Sequence, residues 1–138
     1  MNEAPWSKLS SAESSFADYG DAAIVVFSRS GGEGADLPSG ENGTNDSWIK
    51  GQEGDGNYLA LSAEEKELLQ NLKTLKDNGT FKKVIVLINS SNAIEMDFLN
   101  PEICGEDYGI DSAMWIGDVG QTGINGVAQL LAGEATPS

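Results

Sequence analysis

The sequence predicts an α/β fold, a three-layer sandwich built around a mostly parallel sheet. Two apolar runs without polar alternation, Ala22–Phe27 and Val84–Ile88, are typical of strands that are covered on both faces. A helical pattern follows each run, so strands and helices alternate along the chain. Parallel strands joined by right-handed crossovers accommodate this order. Because only three strands are expected, the sheet is predicted to be small.

Length and charge limit the classes of protein to which the chain can belong. Its 138 residues and 39% hydrophobic content suit one ordinary domain with a modest core. The formal charge of -14 opposes binding to nucleic-acid phosphates or to an anionic membrane surface, so neither is expected as a partner. No apolar run reaches membrane-spanning length, and residues 1–20 lack a signal-peptide pattern. The sequence predicts a soluble segment and leaves its compartment open.

The chemistry that the residues allow is narrow. The chain contains no histidine, which removes imidazole metal sites and the Ser/His and Cys/His nucleophile pairs. Carboxylates remain as the groups that could transfer protons, and no metal or cofactor is expected. Cys104 is the single cysteine of the chain, so an intrachain disulfide cannot form.

Two parts of the chain are distinguished by composition. Residues 1–20 are predicted to form an N-terminal arm or a frayed short helix, which Trp6, Phe16 and Tyr19 could attach to the body. Residues 21–138 are predicted to form the α/β domain.

A glycine-rich loop, residues 31–36, follows the first predicted strand. Its three glycines let the backbone turn around Glu33 and present that carboxylate at the carboxyl end of the strand. In open α/β sheets, ligands bind at this edge. Polar loops at residues 89–92 and 118–122 follow the second and third strands, so all three loops should share the edge.

A cap pattern marks the first helix. Ser62 and Glu65 have the capping-box spacing, which predicts that a helix begins there, and Asn78 with Gly79 supplies a left-handed stop. Leucines recur on one face of this helix, which predicts that the face is buried. They are Leu68, Leu69, Leu72 and Leu75.

The later elements are shorter. Ala93–Leu99 is predicted to form a short helix that ends before Pro101. Asp111–Ile116 is predicted as the third strand, with Trp115 in the core. A final helix with one apolar face ends before Gly133. That face consists of Ile124, Val127 and Leu131.

A long acidic loop, residues 39–57, lies between the first strand and the first helix. Loops of this length are usually functional or disordered. Residues 41–57 could bind calcium, but they lack EF-hand spacing and are more simply interpreted as a solvated loop. The glycine loop lacks the lysine and hydroxyl residue of a P-loop, and its acids would repel phosphate, so a phosphate site is not expected.

Four stretches stand in order between residues 21 and 138: FSRSGGEGADLP, LSAEEKELL, KKVIVLINSSNAIEM and DSAMWIGDVGQTGINGVAQLLAGEATPS. Together they resemble the C-terminal α/β sandwich domain of glycoside hydrolase family 3, the β-glucosidase and β-xylosidase group. The closing stretch is similar to the family's GQ-G…-L-G-NPSG ending. The resemblance covers nearly the whole chain, and it implies a flavodoxin-like sandwich. It also implies that the sandwich is incomplete, since family members usually have a strand and a helix before the segment matched here.

The resemblance implies a role for Glu33. Complete members are retaining, exo-acting enzymes whose barrel domain carries an aspartate nucleophile, and in several of them the general acid/base glutamate lies in a loop of the form SR-x-S/G-G-E-G-x-D. This implies that Glu33 is the general acid/base, with Arg29 and Asp36 as neighbours in the motif. A retaining mechanism needs two carboxyl groups about 5–5.5 Å apart. To act as an acid, Glu33 needs a pKa raised by an apolar wall or a nearby anion.

Further side chains are supporting candidates. Arg29 either contacts the sugar or forms a structural ion pair with an acid of its own motif. Asp118 and Gln121 either hydrogen-bond a sugar hydroxyl or cap the last helix. Trp48 is a candidate platform for a sugar ring or a contact to a second domain.

The family's barrel and its nucleophile motif are not recognised in the chain. The resemblance therefore implies a fragment of a larger glycosidase, inactive by itself, that acts on terminal non-reducing β-D-sugars when joined to its barrel. A fragment parted from the barrel should expose an apolar docking patch and could self-associate. The alternatives are a non-catalytic module that binds carbohydrate or a protein partner through the same edge, and a small flavodoxin-like ligand-binding domain. The sugar, the linkage and the export of the parent enzyme stay open.

Overall fold

A computed structural model describes residues 10–29 and 58–137 of the chain. Strands and helices alternate in it, as the sequence predicts. They are β1 (Ala23–Ser28), α1 (Ala63–Asp77), β2 (Val84–Asn89), α2 (Pro101–Cys104), β3 (Ser112–Trp115) and α3 (Gly120–Leu131). Two 3₁₀ helices, Ser10–Ser15 and Asp97–Leu99, precede β1 and α2 respectively.

The three strands form one parallel sheet in the order β1-β2-β3. Val25 pairs with Val86, which pairs in turn with Ala113. The predicted α/β fold with a parallel sheet is therefore confirmed. Because all three strands run the same way, their last residues meet at one edge of the sheet. We call this edge, at Ser28, Asn89 and Trp115, the carboxyl edge.

The core lies between α1 and one face of the sheet. Leu69 of α1 and Val84, Val86 and Ile88 of β2 have no exposed surface, because β2 has a strand on each side and α1 above it. Phe98, from the connection between β2 and β3, belongs to the same cluster. Both connections therefore contribute to one face, as expected when right-handed crossovers step in one direction across a sheet.

Helix α1 begins with the predicted capping box. The Ser62 hydroxyl accepts from the Glu65 backbone N–H at 3.1 Å, and a Glu65 carboxylate oxygen accepts from the Ser62 N–H at 2.8 Å. Gly79, at a φ of 85°, follows the C-cap residue Asn78 and provides the predicted left-handed stop. The predicted apolar face is confirmed by three buried leucines and one partly buried leucine. They are Leu68, Leu69 and Leu72, and Leu75.

One face of β1 is open, so the prediction that this strand is covered on both faces is wrong. Val25 and Phe27 belong to the core, whereas Ile24 and Val26, which alternate with them, are 49% and 54% exposed. β1 also lies at an edge of the sheet. The apolar run has no polar position to mark an open face, and this is why its pattern predicted burial on both sides.

The last strand and helix are less buried than predicted. Trp115, expected in the core, is 48% exposed, because β3 is the other edge strand and has only four residues. Helix α3 spans the predicted segment, but Val127 is its only buried residue, while Ile124 and Leu131 are exposed. Gly133, at a φ of 72°, follows the helix as predicted.

The helix predicted over Ala93–Leu99 is replaced by two shorter elements. The 3₁₀ helix covers only Asp97–Leu99, and α2 then begins at Pro101. Asn100 is the N-cap, since its side-chain oxygen accepts from the backbone N–H of Glu102 at 3.0 Å. Proline suits the first position of a helix because it has no N–H to leave unpaired. Pro101 therefore starts α2, while the 3₁₀ helix before it ends at Leu99, before the proline as predicted.

The described part of the N-terminal arm packs through one aromatic ring. The ring centroid of Phe16 lies 5.0 Å from that of Phe81, whereas Tyr19 is 75% exposed. Trp6 lies outside the described residues. Of the predicted attachments, Phe16 is confirmed and Tyr19 is not.

Candidate functional site

The carboxyl edge brings together the beginnings of the three loops that the sequence singles out. Arg29 follows β1, residues 90–92 follow β2, and residues 116–119 follow β3. Parallel pairing fixes this arrangement, because Ser28 pairs with Asn89 and Ile88 pairs with Trp115.

Arg29, the first residue after β1, is buried at this edge. Its side chain is 1% exposed, and all five of its N–H donors have acceptors. Nη1 and Nη2 each donate to one carboxylate oxygen of Glu65 at 2.8 Å. The remaining donors bond to the backbone carbonyls of Ser28, Tyr58 and Ala60 at 2.6 to 2.8 Å. The paired carboxylate and the three carbonyls compensate the cost of burying the charge.

These contacts change the interpretation of Arg29. A structural ion pair was one of its two predicted roles, and among the described residues such a pair is present with Glu65 as the partner. The guanidinium also lies over the ring of Tyr58, with 6.0 Å between its carbon and the ring centroid. With every N–H occupied, Arg29 supports the edge and offers no donor to a ligand in this arrangement.

A second set of contacts joins the loops after β2 and β3. The Ser90 hydroxyl donates to the carbonyl of Asn92 at 3.0 Å and accepts from the Asn92 N–H at 3.1 Å, closing a tight turn. Ser90 is 1% exposed, so the hydroxyl that closes this turn is buried. The Ser91 hydroxyl donates to the carboxylate of Asp118. This bond links two of the three predicted loops side by side.

Asp118 and Gln121 are both exposed at the beginning of α3. The N-cap residue of α3 is Val119, and no side chain caps the helix. The alternative that Asp118 and Gln121 cap this helix is therefore wrong. Asp118 is held by Ser91, and the exposed amide of Gln121 lies one residue inside α3.

Three of the predicted site residues lie outside the described residues. They are Glu33, Asp36 and Trp48. Their roles remain predictions from the sequence.

Two residues at this edge were not assigned to the site by sequence reasoning. Glu65 is recognised in the sequence only as part of a capping box, and it stands 36 positions from Arg29, so no local pattern reveals the pair. Ser91 lies within a predicted loop, but its bond to Asp118 depends on β2 and β3 being neighbours. Strand adjacency is the signal that could have indicated it.

A depression of about 770 Å³ lies away from the carboxyl edge. Gly20, Asp21, Thr80 and Lys82 line it, and they precede the first residues of β1 and β2. It therefore belongs to the opposite edge of the sheet. Within the described ranges, no group of three or more side chains could hold a metal ion, and no helix has the length and apolar character to cross a bilayer.

Comparison with known families identifies the class of domain to which this α/β chain belongs. Residues 4–138 match the family model described as the glycosyl hydrolase family 3 C-terminal domain. The chain belongs to this family. No solved structure matched the chain.

A curated relative carries an enzyme name. The chain is 31% identical over 121 residues to a beta-glucosidase from Ruminococcus albus. The aligned region covers 88% of this chain and 10% of the relative. The chain therefore spans about a tenth of the length of the relative that it matches.

Proposed function

We propose that the chain is part of a longer retaining β-glycosidase, in which it supplies the general acid/base for hydrolysis of terminal non-reducing β-D-sugars. Glu33 is the proposed acid/base. The observation that carries the proposal is the family match over residues 4–138, together with 31% identity to a beta-glucosidase. The position of Glu33 adds support, because it follows shortly after the last residue of β1 at the edge where ligands bind in α/β sheets.

The proposed chemistry uses two carboxyl groups. In the first step Glu33 gives its proton to the glycosidic oxygen while a nucleophilic carboxylate attacks the anomeric carbon and the bond to the leaving group breaks. In the second step the ionised Glu33 takes a proton from water, which attacks the anomeric carbon and releases the nucleophile. The nucleophile is proposed to be an aspartate of the barrel of the parent polypeptide, so the isolated chain is expected to have no turnover.

The other site residues have supporting roles in this proposal. Arg29 stabilises the carboxyl edge through its buried hydrogen bonds to Tyr58 and Glu65. Asp118, fixed by Ser91, and the exposed Gln121 are proposed to hydrogen-bond sugar hydroxyls. Two further roles are proposed from the sequence alone. Asp36 is proposed to support Glu33 as its neighbour in the motif, and Trp48 to provide an aromatic platform for a sugar ring.

The partners are proposed to be a β-linked glucoside or oligosaccharide and the barrel domain. When the chain is separated from the barrel, its open apolar surface is expected to promote self-association. The exposed face of β1, carried by Ile24 and Val26, is the part of the described surface that supports this expectation.

The proposal is tested in the complete parent enzyme with Glu33→Gln. Hydrolysis of an alkyl β-glucoside, whose leaving group needs a proton, should fall about 10²- to 10⁴-fold. Dinitrophenyl β-glucoside needs no acid in the first step, so its turnover should be limited by the second step. Azide needs no general base, and it should restore that turnover and yield the β-glucosyl azide. Glu67→Gln is the matched control, because Glu67 is an exposed glutamate of α1.

Three results would contradict the proposal. Equal losses with both substrates and no effect of azide would show that Glu33 is not the acid/base. Hydrolysis of an aryl β-glucoside by the isolated chain would show that it needs no barrel. Binding of a β-glucoside by a parent protein that lacks turnover would favour the non-catalytic alternative.

A further inference from the structure

The guanidinium of Arg29 holds both flanks of the segment that carries Glu33. Its carbonyl acceptors are Ser28, which precedes residues 30–57, and Tyr58 and Ala60, which follow them. One buried side chain therefore connects the end of β1 to the residues that precede α1.

The same guanidinium is fixed to a rigid element through Glu65. Both oxygens of Glu65 accept from Arg29, and one of them also accepts from the Ser62 backbone N–H at 2.8 Å. Glu65 lies in the first turn of α1, where the helix dipole favours a negative charge. Helix α1 is in turn anchored in the core by Leu69, which has no exposed surface. We call Arg29 and Glu65, with the three carbonyls, the arginine clamp.

Only arginine can make all of these bonds. Lysine carries three donors on one nitrogen and cannot form two parallel bonds to a carboxylate while it also reaches three carbonyls. Glu33 stands four residues beyond Arg29 in the sequence, so the Cα atoms of the two residues can be at most about 14 Å apart. The backbone next to residues 30–57 is thus positioned by a guanidinium whose five N–H groups all have acceptors.

We propose that Arg29 is a positioning residue for the general acid/base, and that Glu65 acts with it. This inference rests on the proposed function of Glu33. The clamp sets where the Glu33 loop leaves the carboxyl edge, and so sets the alignment of the acid's proton with the leaving oxygen. A displacement of about 1 Å at a reacting group can cost about 10²-fold in rate.

The test compares leaving groups in the complete parent enzyme. Arg29→Lys should lower kcat for an alkyl β-glucoside at least about 10-fold, because its departure needs a well-placed acid. Glycosylation by dinitrophenyl β-glucoside should change less than about 3-fold, because its leaving group needs no proton. Pre-steady-state release of dinitrophenolate measures that step. The alkaline limb of the pH profile for the alkyl substrate, which reports loss of the proton from the general acid, should shift as well, since the surroundings of the acid change.

A second variant separates the clamp from the helix cap. Glu65→Gln keeps a side chain that can complete the capping box but loses the charge pair with Arg29. It should show the same dependence on the leaving group. Ser62→Ala is the matched control, because it weakens the cap through Oγ and leaves the pair intact. Ser62→Ala should reduce thermal stability without changing the ratio of the two rates.

The outcomes distinguish this inference from the function on which it rests. If Glu33→Gln depends on the leaving group but folded Arg29→Lys and Glu65→Gln do not, the positioning role is wrong and the acid/base role stands. If Glu33→Gln itself shows no such dependence, both are wrong. Equal losses on the two substrates that follow the folded fraction, measured by circular dichroism at the assay temperature, would also overturn the positioning role.

Discussion

The Nζ atom of Lys76 lies 2.7 Å from a carboxylate oxygen of Asp111, which ties the last turn of α1 to the residue before β3. The same carboxylate accepts from the backbone N–H of Val84 at 2.8 Å and from Nζ of Lys83 at 3.0 Å. These contacts, led by the bond to Lys76 and then that to Val84, hold the pKa of Asp111 well below its usual range. One carboxylate therefore connects α1, β2 and β3 at the edge of the sheet opposite the carboxyl edge.

The lowered pKa predicts how stability depends on pH. The unfolded state has the higher pKa, about 3.9, so the contribution of Asp111 is fully present above that value and is lost as the pH falls below it. Asp111→Asn should reduce the free energy of unfolding by about 1–2 kcal/mol at pH 7. The difference from the unmodified chain should be about 1 kcal/mol smaller at pH 3. Urea unfolding at the two pH values measures this, and the same destabilisation at both would contradict it.

A prediction about the hydrophobic core concerns Leu69, which lies on the inner face of α1 and has no exposed surface. Leu69→Ala should lower the free energy of unfolding by about 2–5 kcal/mol, since it removes buried surface and leaves a cavity. Ile103→Ala is the control, because Ile103 is 63% exposed and should change stability by less than about 0.5 kcal/mol. Equal urea midpoints for the two variants would show that the core does not lie under α1.

The helix cap gives a smaller effect. Ser62→Ala should lower the free energy of unfolding by about 1 kcal/mol, because the Glu65 N–H loses its acceptor at 3.1 Å. Thr74→Ala is the control, since the exposed Thr74 hydroxyl bonds to the carbonyl of Gln70 one turn earlier, a bond that contributes little to the helix. Thermal unfolding followed by circular dichroism measures both. A Thr74 variant that is as destabilised as the Ser62 variant would contradict the capping role.

The open face of β1 predicts the behaviour of the isolated chain in solution. Light scattering should detect association, and Val26→Lys should reduce it, because a charged side chain on an edge strand opposes pairing with another copy. Ile103→Lys, at another exposed apolar position, should leave the association unchanged. An unmodified chain that stays monomeric over the accessible concentration range would contradict the prediction.

Local patterns predicted the elements whose cause is local. The bounds of β2 and the start of α1 were predicted to within one residue. Both depend on neighbours in sequence: β2 on a continuous apolar run, and α1 on the reciprocal hydrogen bonds between Ser62 and Glu65. The stop at Gly79 follows from its φ of 85°, which only glycine adopts without strain. Parallel pairing then followed from the alternation of strands and helices.

The failures concern properties that depend on distant neighbours. The exposure of Trp115 depends on the edge position of β3, which the four residues of that strand do not reveal. The partner of Arg29 depends on how β1 meets α1, and the family motif offered acids nearer in sequence. A helix does end before Pro101 as predicted, but the helix that begins at Pro101 was missed, although Asn100 fits the cap of a new helix. For the candidate site, the edge was predictable and the network that supports it was not.

The arginine clamp has a consequence for how the segment between residues 29 and 58 can evolve. With both of its flanks fastened by one guanidinium, insertions and deletions between them leave the sheet and α1 untouched. If inserted residues are flexible, each doubling of the length of a connection costs only about 0.6 kcal/mol. We therefore expect this chain to tolerate insertions and deletions between the motif that carries Glu33 and Tyr58, while the parallel sheet and α1 keep their structure.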